Sequence, residues 1–154
     1  MWNLAQSNAV LASQRHHSQV LAAPEDRPMG RINALVCIAA PSDPAKCLVF
    51  AAGCGSNMHI WRISQVSSEH MQLLEGHASL VTGLADCKNG CIASCSLDGT
   101  IKLWAPVKEK DDEYACIGTV QGRPSSCLSW QNWGGPVAVN DFGASHLWSC
   151  YVGA

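Results

Sequence analysis

The feature that most constrains this chain is the spacing of its tryptophans. Four of the six, Trp2, Trp61, Trp104 and Trp148, close similar segments. The last three lie 43 and 44 residues apart, and Trp2 stands 59 residues before Trp61. A period of roughly 40–45 residues is the length of a repeating unit of four short strands. The longer first interval implies an insertion, and the polar stretch from Asn3 to His17 is where it fits.

The middle unit carries the pattern most clearly. Leu73-Leu74-Glu75-Gly76-His77 is followed by Ser79-Leu80-Val81-Thr82-Gly83-Leu84. Next come Asp86-Cys87-Lys88-Asn89-Gly90, Cys91-Ile92-Ala93-Ser94-Cys95-Ser96 and Leu97-Asp98-Gly99-Thr100-Ile101-Lys102-Leu103-Trp104. These are short β-prone runs divided by turn signals. Asn89-Gly90 is a strong hairpin signal, because a type I′ turn needs positive φ at both central residues. Asp98-Gly99 supplies similar turn chemistry. The run Thr100 to Trp104 alternates, placing Ile101 and Leu103 on one face.

Residues 73–104 resemble a WD40 repeat: the Gly-His pair and the Ser-x-Ser-x-Asp-Gly-Thr-Ile-Lys-Leu-Trp ending stand at that family's spacing. The resemblance implies an all-β fold, a partial β-propeller of about three four-stranded antiparallel blades. It also implies that His77, Ser94, Asp98 and Trp104 share a buried hydrogen-bond network. Such a set is satisfied only as a group, because a buried indole N–H, imidazole and carboxylate each need partners. Ser94, His77 and Asp98 are also the residue types of a catalytic triad, but their sequence context favours the structural role.

The flanking units match more loosely. In the first, Gly30-Arg31 replaces Gly-His, Leu48 to Ala52 is the second strand, Asn57 to Trp61 is the third, and Gly55 falls at the aspartate position. In the last, Gly122-Arg123 replaces Gly-His and Ala144 to Trp148 is the closing strand. Phe142 falls at the aspartate position, with Asp141 one residue early. Neither can build the four-member network, so each is expected to rest on packing and strand pairing alone.

The expected organisation is a remnant of a preceding blade and linker over 1–16, then blades over 17–64, 65–106 and 107–154. Closed propellers use about four to eight blades, so 154 residues are too few for a ring. The expectation is therefore the C-terminal part of a larger propeller. The runner-up is a partial propeller that completes itself by self-association.

Composition narrows the function classes. Charged residues are 14% of the chain and the net charge is −2, against about 25% charged in a typical globular protein. That gives no basic field for phosphate binding. The longest apolar runs, Ile32 to Pro41 and Cys47 to Ala52, fall short of the ~20 residues of a membrane span. Nine cysteines is an odd number, which excludes complete pairing within one chain, and the N-terminus shows no secretion signal. Together these point to a reducing compartment, cytoplasmic or nuclear. Cys37, Cys47, Cys54 and His59 have the residue types of a zinc set. Cys37 and Cys47 lie in apolar β-rich runs, so the structural reading is preferred and no metal or cofactor is assigned.

The resemblance implies a non-enzymatic scaffold that meets protein or peptide partners at the propeller rims. Arg31 and Arg123 are candidate partner-binding residues, because a guanidinium resists burial and arginine is a favoured hot-spot residue. Trp130 and Trp133 flank a turn and are candidate anchors. The alternative is an RNA-associated protein, from a similarity to plant proteins that join CCCH zinc fingers to WD40 repeats. No membrane partner is expected. The run from Lys108 to Glu113 reads as a solvated hairpin.

Overall fold

The computed structural model describes residues 20–53, 55–88, 90–110 and 112–121, together with the backbone of three further strands between 127 and 147. Trp2, Trp148, Arg123 and Trp133 lie outside the described residues, and Trp130 is placed by its backbone alone. Every regular element among the described residues is a strand.

The first sheet runs β1 (Ala34–Ala39), β2 (Cys47–Ala52), β3 (Met58–Ile63) and β4 (Ser68–Leu74). The second runs β5 (Val81–Asp86), β6 (Ile92–Ser96), β7 (Thr100–Pro106) and β8 (Tyr114–Gln121). Each is a four-stranded antiparallel meander with neighbours in chain order. A third sheet is described by β9 (Cys127–Gln131), β10 (Gly135–Val139) and β11 (Ser145–Leu147). The first strands β1, β5 and β9 lie side by side, so the sheets follow one another about a common inner edge, as blades do.

The repeat and the sheet are out of phase by one strand. β4 precedes Gly76-His77 in the sequence repeat yet pairs with β3 of the preceding sheet. Each repeat thereby stitches two sheets together. Both complete sheets also share a device the sequence did not announce. A β-bulge falls at the closing tryptophan, with register shifts at Ile60/Trp61 and at Leu103/Trp104. Met71 and Ile117 are the residues left over on the outer strands. A bulge bends and twists the strand it interrupts, and here it recurs in both blades.

Pleating sorts the side chains between faces. Leu48, Phe50, Ala52, Met58 and Ile60 of the first sheet form one cluster with Val81, Ile92, Trp104 and Tyr114 of the second. Phe50 and Tyr114 meet edge to face, with ring centroids 4.9 Å apart. The opposite face of the second sheet carries Ala93, Cys95, Ile101 and Leu103, on the side where β9 neighbours β5 and β6. β6 is buried along its whole length, Ile92 to Ser96. A short strand covered on both faces needs small or apolar side chains, and these five residues supply them. Each large apolar side chain buried between the sheets contributes about 1.5–3 kcal/mol as an upper figure, so face-to-face packing dominates the stability.

Polar contacts then fix how the first two blades meet. The Gln72 amide donates to the Tyr114 carbonyl at 2.9 Å and accepts the Tyr114 N–H at 2.8 Å. Tyr114 also donates its hydroxyl proton to the Gly90 carbonyl at 2.7 Å. Burial, with the neighbouring Cys91, Asp112 and Asp86, pushes that phenol well above its ordinary value. The Lys108 to Glu113 hairpin departs from the sequence expectation. Asp112 is only 2% exposed. Its carboxylate accepts from the Ser42 hydroxyl at 2.7 Å, the Ser42 N–H at 3.2 Å and the Arg62 guanidinium at 3.4 Å. The charge run is solvated in part, but one of its acids is a clasp across the blade interface.

The β5–β6 connection is also longer than a two-residue Asn-Gly turn. The strands end at Asp86 and resume at Ile92, with positive φ at Lys88 and Gly90. The Cys87 N–H donates to the Cys91 carbonyl at 3.0 Å, and Asn89 lies outside the described residues.

Candidate functional site

The most concentrated polar chemistry lies within the second blade. Gly76-His77 joins β4 to β5, Ser94 sits in the middle of β6, Asp98 forms the β6–β7 turn and Trp104 lies near the end of β7. Gly76 has a steric reason: a Cβ there would stand 3.3 Å from Cη2 of Trp104. His77 follows and turns its ring inward, its side chain 0% exposed. Trp104 donates its indole N–H to Ser94 Oγ at 2.8 Å, and Ser94 Oγ lies 2.7 Å from His77 Nε2. Nε2 accepts the Ser94 hydroxyl proton, because a neutral His77 beside an acceptor-only carboxylate carries its own proton on Nδ1. That nitrogen lies 3.0 Å from Asp98 Oδ2.

Asp98 is held by more than the histidine. It accepts the Ala78 N–H at 2.8 Å, the Thr100 N–H at 2.7 Å and the Thr100 hydroxyl at 2.6 Å. Thr100 Oγ1 also lies 3.0 Å from His77 Nδ1, making Thr100 a fifth member that the four-residue reading missed. The signal was present in Asp98-Gly99-Thr100, since an aspartate in a turn commonly bonds the N–H two residues on. Burial raises the Asp98 pKa, but the donors from Thr100, Ala78 and His77 outweigh it and hold the carboxyl at about 2. Burial lowers the pKa of His77 despite the adjacent carboxylate. The pair is thus an anionic Asp98 beside a neutral His77, not a full ion pair.

The first blade solves the same problem differently. Ile92 pairs with Trp104 as Val49 pairs with Trp61, which sets Ala51 where Ser94 stands and His59 where Lys102 stands. With no hydroxyl available, the Trp61 indole donates to the Ala22 carbonyl at 3.2 Å. His59 Nδ1 lies 3.0 Å from His70 Nε2, and both rings pack on Trp61 at 5.5 and 5.4 Å. This blade therefore has polar support of its own, contrary to the expectation of packing and pairing alone. Burial first, then the other charges nearby, lowers the pKa of His59, and burial lowers that of His70. The segment before β1 lies across this face: Asn33 donates to the Gly53 carbonyl at 2.9 Å, and a Cβ on Gly53 would meet Met29 Cγ at 2.7 Å. Between that segment, the β2–β3 turn and the end of β4 is a cleft of about 600 Å³, lined in part by Arg27, Asn57, His59 and Glu75.

The other sequence candidates fall as follows. Arg31 is exposed near the end of this segment, three residues before β1. Trp61 and Trp104 are 3% and 2% exposed, at matching places in their blades. The zinc set does not assemble, and its two strand cysteines are not in the sheet core that the structural reading implied. Cys37 and Cys47 are exposed on β1 and β2, His59 is occupied with His70, and Cys54 lies outside the described residues. No group of three or more potential metal ligands gathers among the described residues. No helix there is long and apolar enough to cross a membrane.

A meander blade with an indole, a hydroxyl, an imidazole and a turn carboxylate tied in one buried chain defines a propeller-repeat protein. Residues 68–105, from β4 to near the end of β7, match the family WD domain, G-beta repeat, so this stretch of the chain is a WD40 repeat. It is 36% identical over 63 residues to a Denticleless protein homolog from Danio rerio, across 40% of this chain and 10% of that protein. It is 45% identical over 53 residues to WD repeat-containing protein 75 from Homo sapiens, across 33% of this chain and 6% of that protein. The matched segments thus span a tenth or less of these relatives, and neither name refers to a zinc finger.

Proposed function

We propose that this chain is a non-enzymatic scaffold that binds protein or peptide partners at the rim of its blades. WD40 repeats are in general protein-interaction repeats. The observation that carries the finer reading is the state of Ser94. It is 0% exposed, and its oxygen is held between His77 and the Trp104 indole. A nucleophile needs an open approach and a base free to take its proton. Ser94 has no open approach and its oxygen is already bonded by the Trp104 indole N–H, so the Ser-His-Asp arrangement serves as scaffolding and leaves the loops for recognition. The cleft around Arg27, Asn57 and Glu75 offers mixed charge and hydrogen-bonding groups at one blade edge, suited to a polar peptide segment.

Charge distribution supports a protein partner over RNA. Lys46, Arg62, Lys88 and Lys110 each lie within 4 Å of an acid, Asp43, Glu69, Asp86 and Glu113 respectively. Phosphate binding instead needs cations gathered without such neighbours. We place the scaffold in the cytoplasm or nucleus, with sequence units 17–64, 65–106 and 107–154 as its blades. Peptides selected from a display library on the purified chain supply the test, with each hit titrated directly. Arg27→Glu or Glu75→Lys is expected to weaken binding about tenfold, or 1.4 kcal/mol, at an unchanged melting temperature. Binding that ignores both substitutions refutes the rim assignment, and hydrolysis that depends on Ser94 refutes the scaffold. Salt-dependent RNA retention would favour the alternative reading.

A further inference from the structure

On the face of the first blade turned away from the second, two thiols stand together. Cys37 lies on β1 and Cys47 on β2, and both are exposed. The register pairs Cys37 with Val49 and Ala39 with Cys47, so the cysteines are diagonal neighbours on one face. Right-handed strand twist makes the two diagonals of a hairpin unequal. The short one joins the residue farther from the turn on the first strand to the residue nearer the turn on the second. Cys37 and Cys47 occupy that short diagonal, and their thiols are near enough to interact with one another.

The loop between them is tied to the second blade. Ser42, at its tip, gives both its N–H and its hydroxyl to the buried Asp112 carboxylate. A bond between positions 37 and 47 would close the base of the loop whose tip forms the inter-blade clasp.

We propose that Cys37 and Cys47 are a reversible dithiol–disulfide pair that exchanges with disulfides of the glutathione class and, when oxidised, braces the Ser42–Asp112 clasp. The steps balance. The Cys47 thiolate attacks one sulfur of oxidised glutathione, forming a mixed disulfide and releasing one glutathione thiolate, which takes up the proton Cys47 lost. The Cys37 sulfur, giving up its proton, then attacks the Cys47 sulfur and expels the second glutathione. Two thiols are oxidised, one disulfide is reduced, and two glutathione thiols leave. Partial desolvation, then the neighbouring Cys47, raises the pKa of Cys37, which suits it to the second, intramolecular step, where proximity offsets a small thiolate fraction. Cys116 is an internal control: it is exposed on β8, and its sulfur touches only Gly118 and Thr119 oxygens among the contacts described.

The experiment treats the reduced full chain with oxidised glutathione, alkylates remaining thiols and maps tryptic peptides by fragmentation in the mass spectrometer, which tells Cys47 from Cys54 on the peptide they share. Cleavage after Lys46 separates the two cysteines. A linked Cys37–Cys47 peptide pair is expected, with Cys116 carrying glutathione. In Cys37→Ser and Cys47→Ser, the remaining thiol of the pair is expected to keep a bound glutathione. The Ser42 amide should exchange severalfold more slowly in the oxidised chain than in the reduced one, and equally in both states of Cys37→Ser. Cys37 and Cys47 each carrying glutathione without a link overturns the proposal. So does either one bridged to Cys54, or a linked pair with unchanged Ser42 exchange.

Discussion

Ser94→Ala is the sharpest probe of the second blade, because it removes one oxygen and leaves the packing nearly unchanged. Two buried groups lose their partner: the Trp104 indole N–H, 2.8 Å from Ser94 Oγ, and His77 Nε2, 2.7 Å from it. His77 cannot compensate by changing tautomer, because its Nδ1–H is engaged with Asp98. Each buried polar group left unpaired costs about 1–3 kcal/mol, so the substitution should cost about 2–5 kcal/mol. A loss near 3 kcal/mol would lower the melting temperature by roughly 6–12 °C for a chain of this size. Urea unfolding followed by circular dichroism and tryptophan fluorescence gives the free energy. A double-mutant cycle with Trp104→Phe isolates the bond: once the indole donor is gone, Ser94→Ala should cost about 1 kcal/mol less than in the parent chain. A Ser94→Ala chain within about 0.5 kcal/mol of the parent, the range of ordinary surface changes, would refute the network argument. So would a strictly additive cycle.

Other substitutions test neighbouring parts of the same reasoning. His77→Ala, which orphans Ser94 and Asp98 and opens a cavity, should cost at least as much as Ser94→Ala by the same urea assay. Asp98 is held at about 2 against an ordinary 3.8, so its stabilisation, about 2 kcal/mol, is present above pH ~4 and lost as pH falls towards ~2. Asp98→Asn should flatten that limb of the stability–pH curve. His77, whose pKa burial lowers, acts at higher pH in the same direction: below its ordinary 6.5 the unfolded chain takes a proton that the folded chain resists, and stability falls. Asp112→Asn should cost about 1.5–3 kcal/mol and speed amide exchange at Ser42. Glu69→Ala removes an exposed partner of Arg62 and should change stability by less than about 1 kcal/mol.

The sequence showed the fold wherever local chemistry and period agreed. The 43-residue interval from Trp61 to Trp104 placed the closing strands, and Ser94, Asp98 and Trp104 stood at family spacing. What stayed hidden depends on pairs distant in sequence. Asp112 lies in a run of charges, and only its partner Ser42, 70 residues away, distinguishes it from its solvated neighbours. Gln72 reads as an ordinary polar strand residue until its amide is seen to complete the backbone pairing of Tyr114, 42 residues on. The bulges at Trp61 and Trp104 have no marker residue, since neither a glycine nor a special turn signal is needed where an outer strand inserts one extra position.

The two complete blades together explain why the family match covers 68–105 and not the preceding repeat. Both must bury an indole N–H at the same place in the sheet, and burial without an acceptor is costly. The second blade satisfies it with a serine on the adjacent strand, which in turn needs a histidine, which needs an aspartate; that chain of need keeps four residue types at fixed spacing. The first blade takes its acceptor from the main-chain carbonyl of Ala22. Any residue presents a backbone carbonyl, so this solution leaves no side-chain signature. Ala51 and Gly55 are then tolerated where serine and aspartate stand in the second blade, while the meander, the bulge and the buried tryptophan persist. A repeat can thus keep its architecture after its motif has gone, provided another segment lies across the open face, as the residues before β1 do here. It follows that removing the segment through residue 33 should destabilise the first blade while leaving the His77–Ser94–Trp104 bonds intact. Amide exchange read blade by blade would show this, and equal acceleration in both blades would contradict it.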